Sequence, residues 1–305
     1  MTTSSACQNQ QDARINGIAK SDGSEGLTAS AGLPRTLPDV CFELQARIDA
    51  FLCEKTEDDV LRKVQSQVRE SMDVIRQALS RYGPDHLSLS YNGGKDCLVL
   101  LVLILACLPG WDASCPTPTP TPTPTPCGTG TPEPPRPSPA ASAPAASSQT
   151  LHAIYIVSND PFTEVEEFVA TSAQQYHLDL KRYALPMRPA LEAYLGDRPV
   201  VKAVFLGTRR TDPHGEFLTH FDPTDAGWPQ FMRVHPVIDW HYVEIWAFIR
   251  HLQIPFCDLY NRGFTSLGGV TDTRPNPALA VSGDTSKFRP AYELRDDDEE
   301  RLGRN

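Results

Sequence analysis

Between Ser90 and Asp96 the chain reads Ser-Tyr-Asn-Gly-Gly-Lys-Asp, an uncommon density of phosphate and metal partners for seven residues. Gly93 and Gly94 permit positive φ and close backbone approach, and Lys95 adds a fixed charge. The preceding His86–Ser90 reads as a buried strand, and Leu98–Leu105 as a strongly apolar helix. Such a junction aims backbone N–H groups into one space at a helix N-terminus, where the macrodipole is positive. This is the chemistry of cradling nucleotide phosphates. The spacing fits neither the Walker loop nor the G-x-G-x-x-G fingerprint, and a Gly-Gly pair alone also suits a plain turn.

A second polar run, Gly207-Thr-Arg-Arg-Thr-Asp-Pro-His-Gly215, follows an apolar stretch and suits an anion and hydrogen-bonding site. A solvated basic loop is its bland alternative. In the third, Asp225-Ala-Gly-Trp-Pro-Gln-Phe-Met-Arg233, Trp228 and Phe231 are candidates to line an aromatic ligand pocket, whereas Trp246 reads as core. His235 and His241 lack a metal-ligand pattern. The eight cysteines (Cys7, Cys41, Cys53, Cys97, Cys107, Cys115, Cys127 and Cys257) form no C-x-x-C pair. They read as reduced thiols, with neither a structural zinc nor a disulfide framework expected.

The elements that must position these loops follow from periodicity. Two apolar stripes, Val40 to Leu52 and Val60 to Leu79, predict helices between about Asp39 and Tyr82, with Thr56 a candidate N-cap and Gly83-Pro84 a stop. Strands are expected at Leu151–Val157, Leu178–Ala184 and Val200–Leu206. Helices are expected at Phe162–Tyr176, Leu191–Leu195 and in the amphipathic run around Val243–Leu252. The order predicts an α/β fold: a mostly parallel twisted sheet, Rossmann-like, with helices on both faces. Ligands of such sheets bind beyond the carboxyl ends of the strands. That places residues 91–96, Ser158–Phe162 and Gly207–Gly215 along one edge.

Residues 1–37 lack apolar periodicity and read as disordered, as does the Pro/Thr-rich insertion at 112–150, where alternating proline forbids helix and ladder. One domain, 38–305, is expected, interrupted by that insertion; deleting Pro116–Ser148 is expected to leave turnover within a few-fold. A net charge of −10 argues against general nucleic-acid binding. The 11-residue apolar run Leu98–Leu108 is too short to span a bilayer. The acidic N-terminal stretch has no apolar core of a signal peptide, so a cytoplasmic protein is expected, with no membrane partner.

The loop at 92–97 resembles the PP-loop of ATP pyrophosphatases, with Cys97 where many members have Ser. Further segments occur in order: Gly207–Pro213, Gly227–Arg233 and Pro255-Phe-Cys-Asp-Leu-Tyr-Asn-Arg-Gly-Phe-Thr-Ser-Leu-Gly268. Together they resemble the eukaryotic FAD synthases, FMN adenylyltransferases of the PAPS-reductase-like PP-loop fold. The resemblance covers about residues 40–305 apart from the insertion.

It implies transfer of AMP from ATP to FMN, giving FAD and pyrophosphate. The family's catalytic positions match Asn92, Asp96, Arg301 and Arg304. ATP binding is expected at Ser90, Tyr91, Asn92, Gly93, Gly94, Lys95, Asp96 and Arg209, with Mg²⁺ placed by Asp96. FMN binding is expected at Asp212, Asp225, Trp228, Arg301 and Arg304, with Thr265–Gly269 near the flavin. Lys95 and the loop amides are expected to hold the β/γ-phosphates, and Arg304 to sit on a frayed terminus. Client apo-flavoproteins are possible transient partners. The alternatives are another PP-loop enzyme, of the PAPS-reductase or sulfur-transfer kind, and a non-catalytic nucleotide-binding scaffold. The absence of a cysteine pair or C-terminal Cys weighs against the first alternative, and the intact loop against the second.

Overall fold

Strand β1 (Leu87–Ser90) alternates Leu and Ser, and this parity organises the molecule. It is flanked on one side by β2 (Leu151–Ile156) and β3 (Leu178–Tyr183), on the other by β4 (Ala203–Phe205), β6 (Met232–Val234) and β5 (Phe221–Pro223). The order is β3-β2-β1-β4-β6-β5, parallel throughout except for β5, which runs antiparallel to β6. This computed structural model describes residues 35–110, 150–282 and 284–304.

The expected parallel sheet is present, and helices cover both faces, unequally. One face carries α1 (Leu37–Cys53), α2 (Asp59–Tyr82), α3 (Lys95–Cys107), α4 (Thr163–Gln175) and α6 (Tyr242–His251). Leu87 and Leu89 of β1, Ala153 and Tyr155 of β2, and Phe205 of β4 point into this large core. On the other face α5 (Met187–Asp197) packs Tyr194 against Ile154 and Val204. Tyr194 also shares a 2.5 Å hydrogen bond with Ser88 Oγ, tying α5 to the central strand. α3 is apolar on every side, and Cys97–Cys107 are all buried, as a helix clothed by other helices must be.

Several boundaries differ from expectation. α1 begins at Leu37, itself buried, because Thr36 caps it and exchanges hydrogen bonds with Asp39; the first residues of the domain therefore precede 38. The rest of the N-terminal segment and the Pro/Thr-rich insertion lie outside the described residues. α2 is capped by Asp58, whose Oδ1 accepts from Val60 N at 2.8 Å, and not by Thr56. The short pair β5 and β6 has no clear periodic signal and was not anticipated. Among the described residues, no helix is long and apolar enough to cross a membrane, and Cys41, Cys53, Cys97, Cys107 and Cys257 are free thiols.

Candidate active site

The strand order reverses between β2-β1 and β1-β4, and the loops leaving β1 and β4 open there into one crevice. It holds a cavity of about 540 Å³ lined from six segments: 90–97, 187–191, 204–212, 224–233, 260–267 and 300–301, with Ile154 and Ile156 of β2 on its floor. That volume falls within the range of small-molecule sites.

The β1 parity decides which loop residues face it. Ser88, Ser90 and Asn92 share the α5 side of the sheet, and Ser90 and Asn92 line the cavity. Tyr91 falls with Leu87 and Leu89 and is fully buried, its hydroxyl donating to Ser172 Oγ at 2.8 Å. Its side chain, expected to contact ATP, therefore belongs to the core and does not line the cavity. Gly93, at φ +74°, turns the chain against Phe168 and Val169; a Cβ there would meet Val169 Cγ2 at 2.9 Å. Asn92 Oδ1 accepts from Gly94 N at 3.0 Å and from the Cys97 thiol at 2.9 Å, so the loop braces its own asparagine. Burial pushes the Cys97 thiol up to about 12, keeping it a neutral donor.

Gly94 is the N-cap of α3 and has no side chain to cap it. Tyr260, buried beside the cavity, accepts the Lys95 N–H at 2.8 Å. Gly207, two residues past β4, lies directly against this helix start, where a Cβ would lie 2.9 Å from Cys97 N and 3.1 Å from the Asp96 carbonyl carbon. The two loops are thus placed by backbone-to-backbone contact.

Charge is concentrated just beneath the loop. Lys95 Nζ sits 3.0 Å from Asp96 Oδ2 and 2.5 Å from Glu300 Oε1, with its side chain 2% exposed. Arg209, equally buried, pairs with Asp96 Oδ1 through Nε at 3.0 Å and with Glu300 Oε2, and lies within 3.5–3.6 Å of Asp212 and Asp297. Burial alone would raise the Asp96 carboxyl, but the Arg209 and Lys95 charges outweigh it and hold it below its ordinary value. Arg209 is not among the cavity-lining residues and anchors their carboxylates from behind, whereas Lys95 lines the cavity with its charge engaged by Asp96 and Glu300.

Asp212 does line the cavity, and its Oδ2 accepts from Arg209 N at 2.8 Å. Asp225 and Trp228 stand at the mouth, Asp225 3.5 Å from Arg233, and Phe231 lies with them. Arg301 is exposed on the cavity wall without an ion-pair partner among the described residues. Arg304 is placed differently. It pairs with Asp272 at 3.5 Å, its guanidinium covers Gly268, and it is not a lining residue. Nor is its backbone frayed, since Arg304 bridges Thr273 and Arg274 N donates to Gly303 O at 2.8 Å. Ser158–Phe162 acts indirectly: Asp160 accepts from Thr271 N at 2.7 Å and secures the loop that brings Ser266 and Leu267 to the cavity. Glu300 and Tyr260, central to the site, were missed by sequence reasoning.

The donor set can be tested against magnesium. Asp96 and Asp212 present carboxylates to the cavity, and Asp96 Oδ1 is buried without a properly oriented hydrogen-bond donor. Oxygen-only donors beside a phosphate site suit Mg²⁺, which takes one or two carboxylates and completes its shell with phosphate and water.

Residues 86–275 match the phosphoadenosine phosphosulfate reductase domain family. The chain is 35% identical over 242 residues to a probable FAD synthase of Schizosaccharomyces pombe, covering 79% of this chain and 80% of that one. It is 30% identical over 267 residues to a probable FAD synthase of Caenorhabditis elegans, spanning 87% of this chain but 45% of that longer protein. The fold superposes on Candida glabrata FMN adenylyltransferase in complex with FMN and the ATP analog AMPCPP, with a TM-score of 0.73 and 27% identity, covering 88% of this chain and 100% of that one. A second crystal of that enzyme, with FAD and inorganic pyrophosphate, gives 0.74 and 26%, covering 89% and 100%. With four-fifths of the S. pombe protein matched and the PP-loop, β4 loop and C-terminal arginines present, the chain belongs to the FAD synthase family within the PP-loop fold.

Proposed function

We propose that this protein is an FMN adenylyltransferase, which transfers AMP from ATP to FMN and releases pyrophosphate. The observation that carries this reading is a single cavity lined together by a phosphate-type loop, the carboxylates of Asp96 and Asp212, the aromatic rings of Trp228 and Phe231, and Arg301, which has no ion-pair partner among the described residues. The family membership and the ligands of the C. glabrata structures support it.

In the reaction an oxygen of the FMN phosphate attacks the α-phosphorus of ATP, and the bond from that phosphorus to the bridging oxygen of pyrophosphate breaks. Both substrates are polyanions, so positioning and charge neutralisation are the main demands. The N-terminus of α3 and the Asn92–Gly94 turn receive the pyrophosphate end of ATP through the positive end of the helix dipole, the Gly94 and Lys95 N–H groups being engaged by Asn92 Oδ1 and Tyr260. Asn92, braced by the Cys97 thiol, orients the reacting phosphates. Arg301 offers its free guanidinium to the FMN phosphate or to charge developing in transfer. The aromatic and aliphatic wall of Trp228, Phe231, Ile154 and Val204 suits the flavin ring. Arg304 supports the cavity wall indirectly, through Gly268 and the 265–269 loop.

Mg²⁺, held by Asp96 with Asp212 nearby, would supply neutralisation of phosphate charge. The need for it is electrostatic: Lys95 and Arg209 already face Asp96, Glu300, Asp212 and Asp297, leaving no surplus positive charge beneath the loop. A cytoplasmic location and transient delivery of FAD to apo-flavoproteins accompany this reading.

The test is to incubate the purified protein with FMN and ATP, with and without Mg²⁺, and separate the flavins by chromatography. FAD should appear only with Mg²⁺ present. Folded protein that yields no FAD in either case would refute the reading.

A further inference from the structure

Glu300 is 5% exposed and reaches back across 205 positions of sequence to the PP-loop lysine. Its Oε1 accepts from Lys95 Nζ at 2.5 Å, and its Oε2 accepts from Arg209 Nη2. Asp96 meets the same two cations from the other side, Oδ2 with Lys95 Nζ and Oδ1 with Arg209 Nε, both at 3.0 Å. The four charges alternate around a closed ring: Lys95, Asp96, Arg209, Glu300. With a different cation on each oxygen, the Asp96 carboxylate cannot rotate about χ2 without losing one pair, although that torsion is intrinsically soft.

The main chain at Glu300 is fixed as well. Its carbonyl accepts from Thr265 Oγ1 at 2.6 Å and from Asn276 Nδ2 at 3.4 Å. The next residue is Arg301, which turns out to the cavity. One buried residue therefore determines where two cavity groups stand.

We propose that Glu300 is a positioning residue for adenylyl transfer, fixing the orientation of Asp96 through Lys95 and Arg209 and setting the place of Arg301. It touches no reacting atom itself. The inference rests on the adenylyltransferase reading, and wild-type protein assayed alongside separates the two: no FAD from wild type defeats that reading, not this one.

The test measures kcat and KM in Glu300→Gln and Glu300→Asp, with the folded fraction taken from thermal unfolding. Glu300→Gln keeps the shape and removes the charge. Glu300→Asp keeps the buried cations compensated but retracts the carboxylate by one C–C bond, about 1.5 Å, so that it cannot hold both. If the glutamine variant does not fold, the aspartate variant is read by the same criterion. Loss of a group that orients a ligand carboxylate commonly costs about 10–100-fold in activity. The expected result is a fall in kcat per folded molecule of about tenfold or more, with KM for FMN within about twofold, because Arg301 is placed by the Glu300 main chain that both variants keep. A kcat per folded molecule equal to wild type, or a loss lying wholly in the folded fraction, would overturn the proposal and leave Glu300 a structural counter-ion.

Discussion

A lysine after two glycines at a helix N-terminus invites a phosphate-gripping role, yet Lys95 is buried between Asp96 and Glu300. Breaking a buried pair by removing one partner costs about 3–5 kcal/mol, because the remaining charge is left uncompensated. Lys95→Gln should therefore lower the unfolding free energy measured in urea by an amount of that order, with a corresponding fall in the midpoint. A phosphate grip predicts the opposite pattern, a raised KM for ATP with an unchanged midpoint. His235 is a second residue with a legible consequence. It is 1% exposed, neither ring nitrogen has a hydrogen-bond partner among the described residues, and Asp222 lies 4.0 Å away. Burial pushes its pKa down to about 4, against the weaker upward pull of Asp222. Between its unfolded value of about 6.5 and pH 4 the unfolded chain binds more protons, so stability falls as pH falls through that window. The full contribution is about 3 kcal/mol, already lost below pH 4. Unfolding curves from pH 7 to 4.5 should decline less steeply for His235→Gln than for wild type; parallel declines would refute the assignment.

At the scale of elements, the site depends on how closely β4 approaches the start of α3. Gly207→Ala would set a Cβ 2.9 Å from Cys97 N, and both neighbours are backbone that can yield only by moving the strand or helix. Overpacking of this kind costs about 1–3 kcal/mol. A displacement near 1 Å at the loop can reduce turnover about 100-fold. Loss of activity should thus exceed what the fall in thermal stability explains, and a variant with wild-type turnover would contradict the close approach. The elements themselves were largely readable from the chain. Long amphipathic stripes placed α1, α2 and α6, and the PP-loop stood out because its residues are contiguous. For Tyr91 the parity of Leu87 and Leu89 is the legible signal, since it places the side chain in the core although the residue lies in the phosphate-type loop. The pair β5 and β6 escaped notice, since three-residue strands give too little alternation to register.

Across the whole molecule, the cavity is closed by chain segments that lie up to about 200 positions apart, and this is where sequence reading ran out. Glu300 sits in Arg-Asp-Asp-Asp-Glu-Glu-Arg301, a stretch that reads as solvated acid until Lys95 and Arg209 are brought against it. Tyr260 is equally silent, since nothing local indicates that its hydroxyl will meet the first N–H of α3. Because binding joins those segments, ligands should stabilise the molecule as a unit. Saturation at 100 times Kd adds about 2.7 kcal/mol, a rise in thermal midpoint of roughly 5–10 °C for a domain of this size. FMN together with a non-hydrolysable ATP analog and Mg²⁺ should produce that shift, and saturating ligands that leave the midpoint unmoved would argue against a shared site.

The central claim is that the adenylyl group of ATP passes to FMN. Following ATP labelled separately in its α- and γ-phosphates tests this most directly. The α-label should appear in FAD and the γ-label in pyrophosphate, with both transfers abolished in Asp96→Asn. Recovery of the α-label only as free AMP, with FMN unchanged, would contradict it.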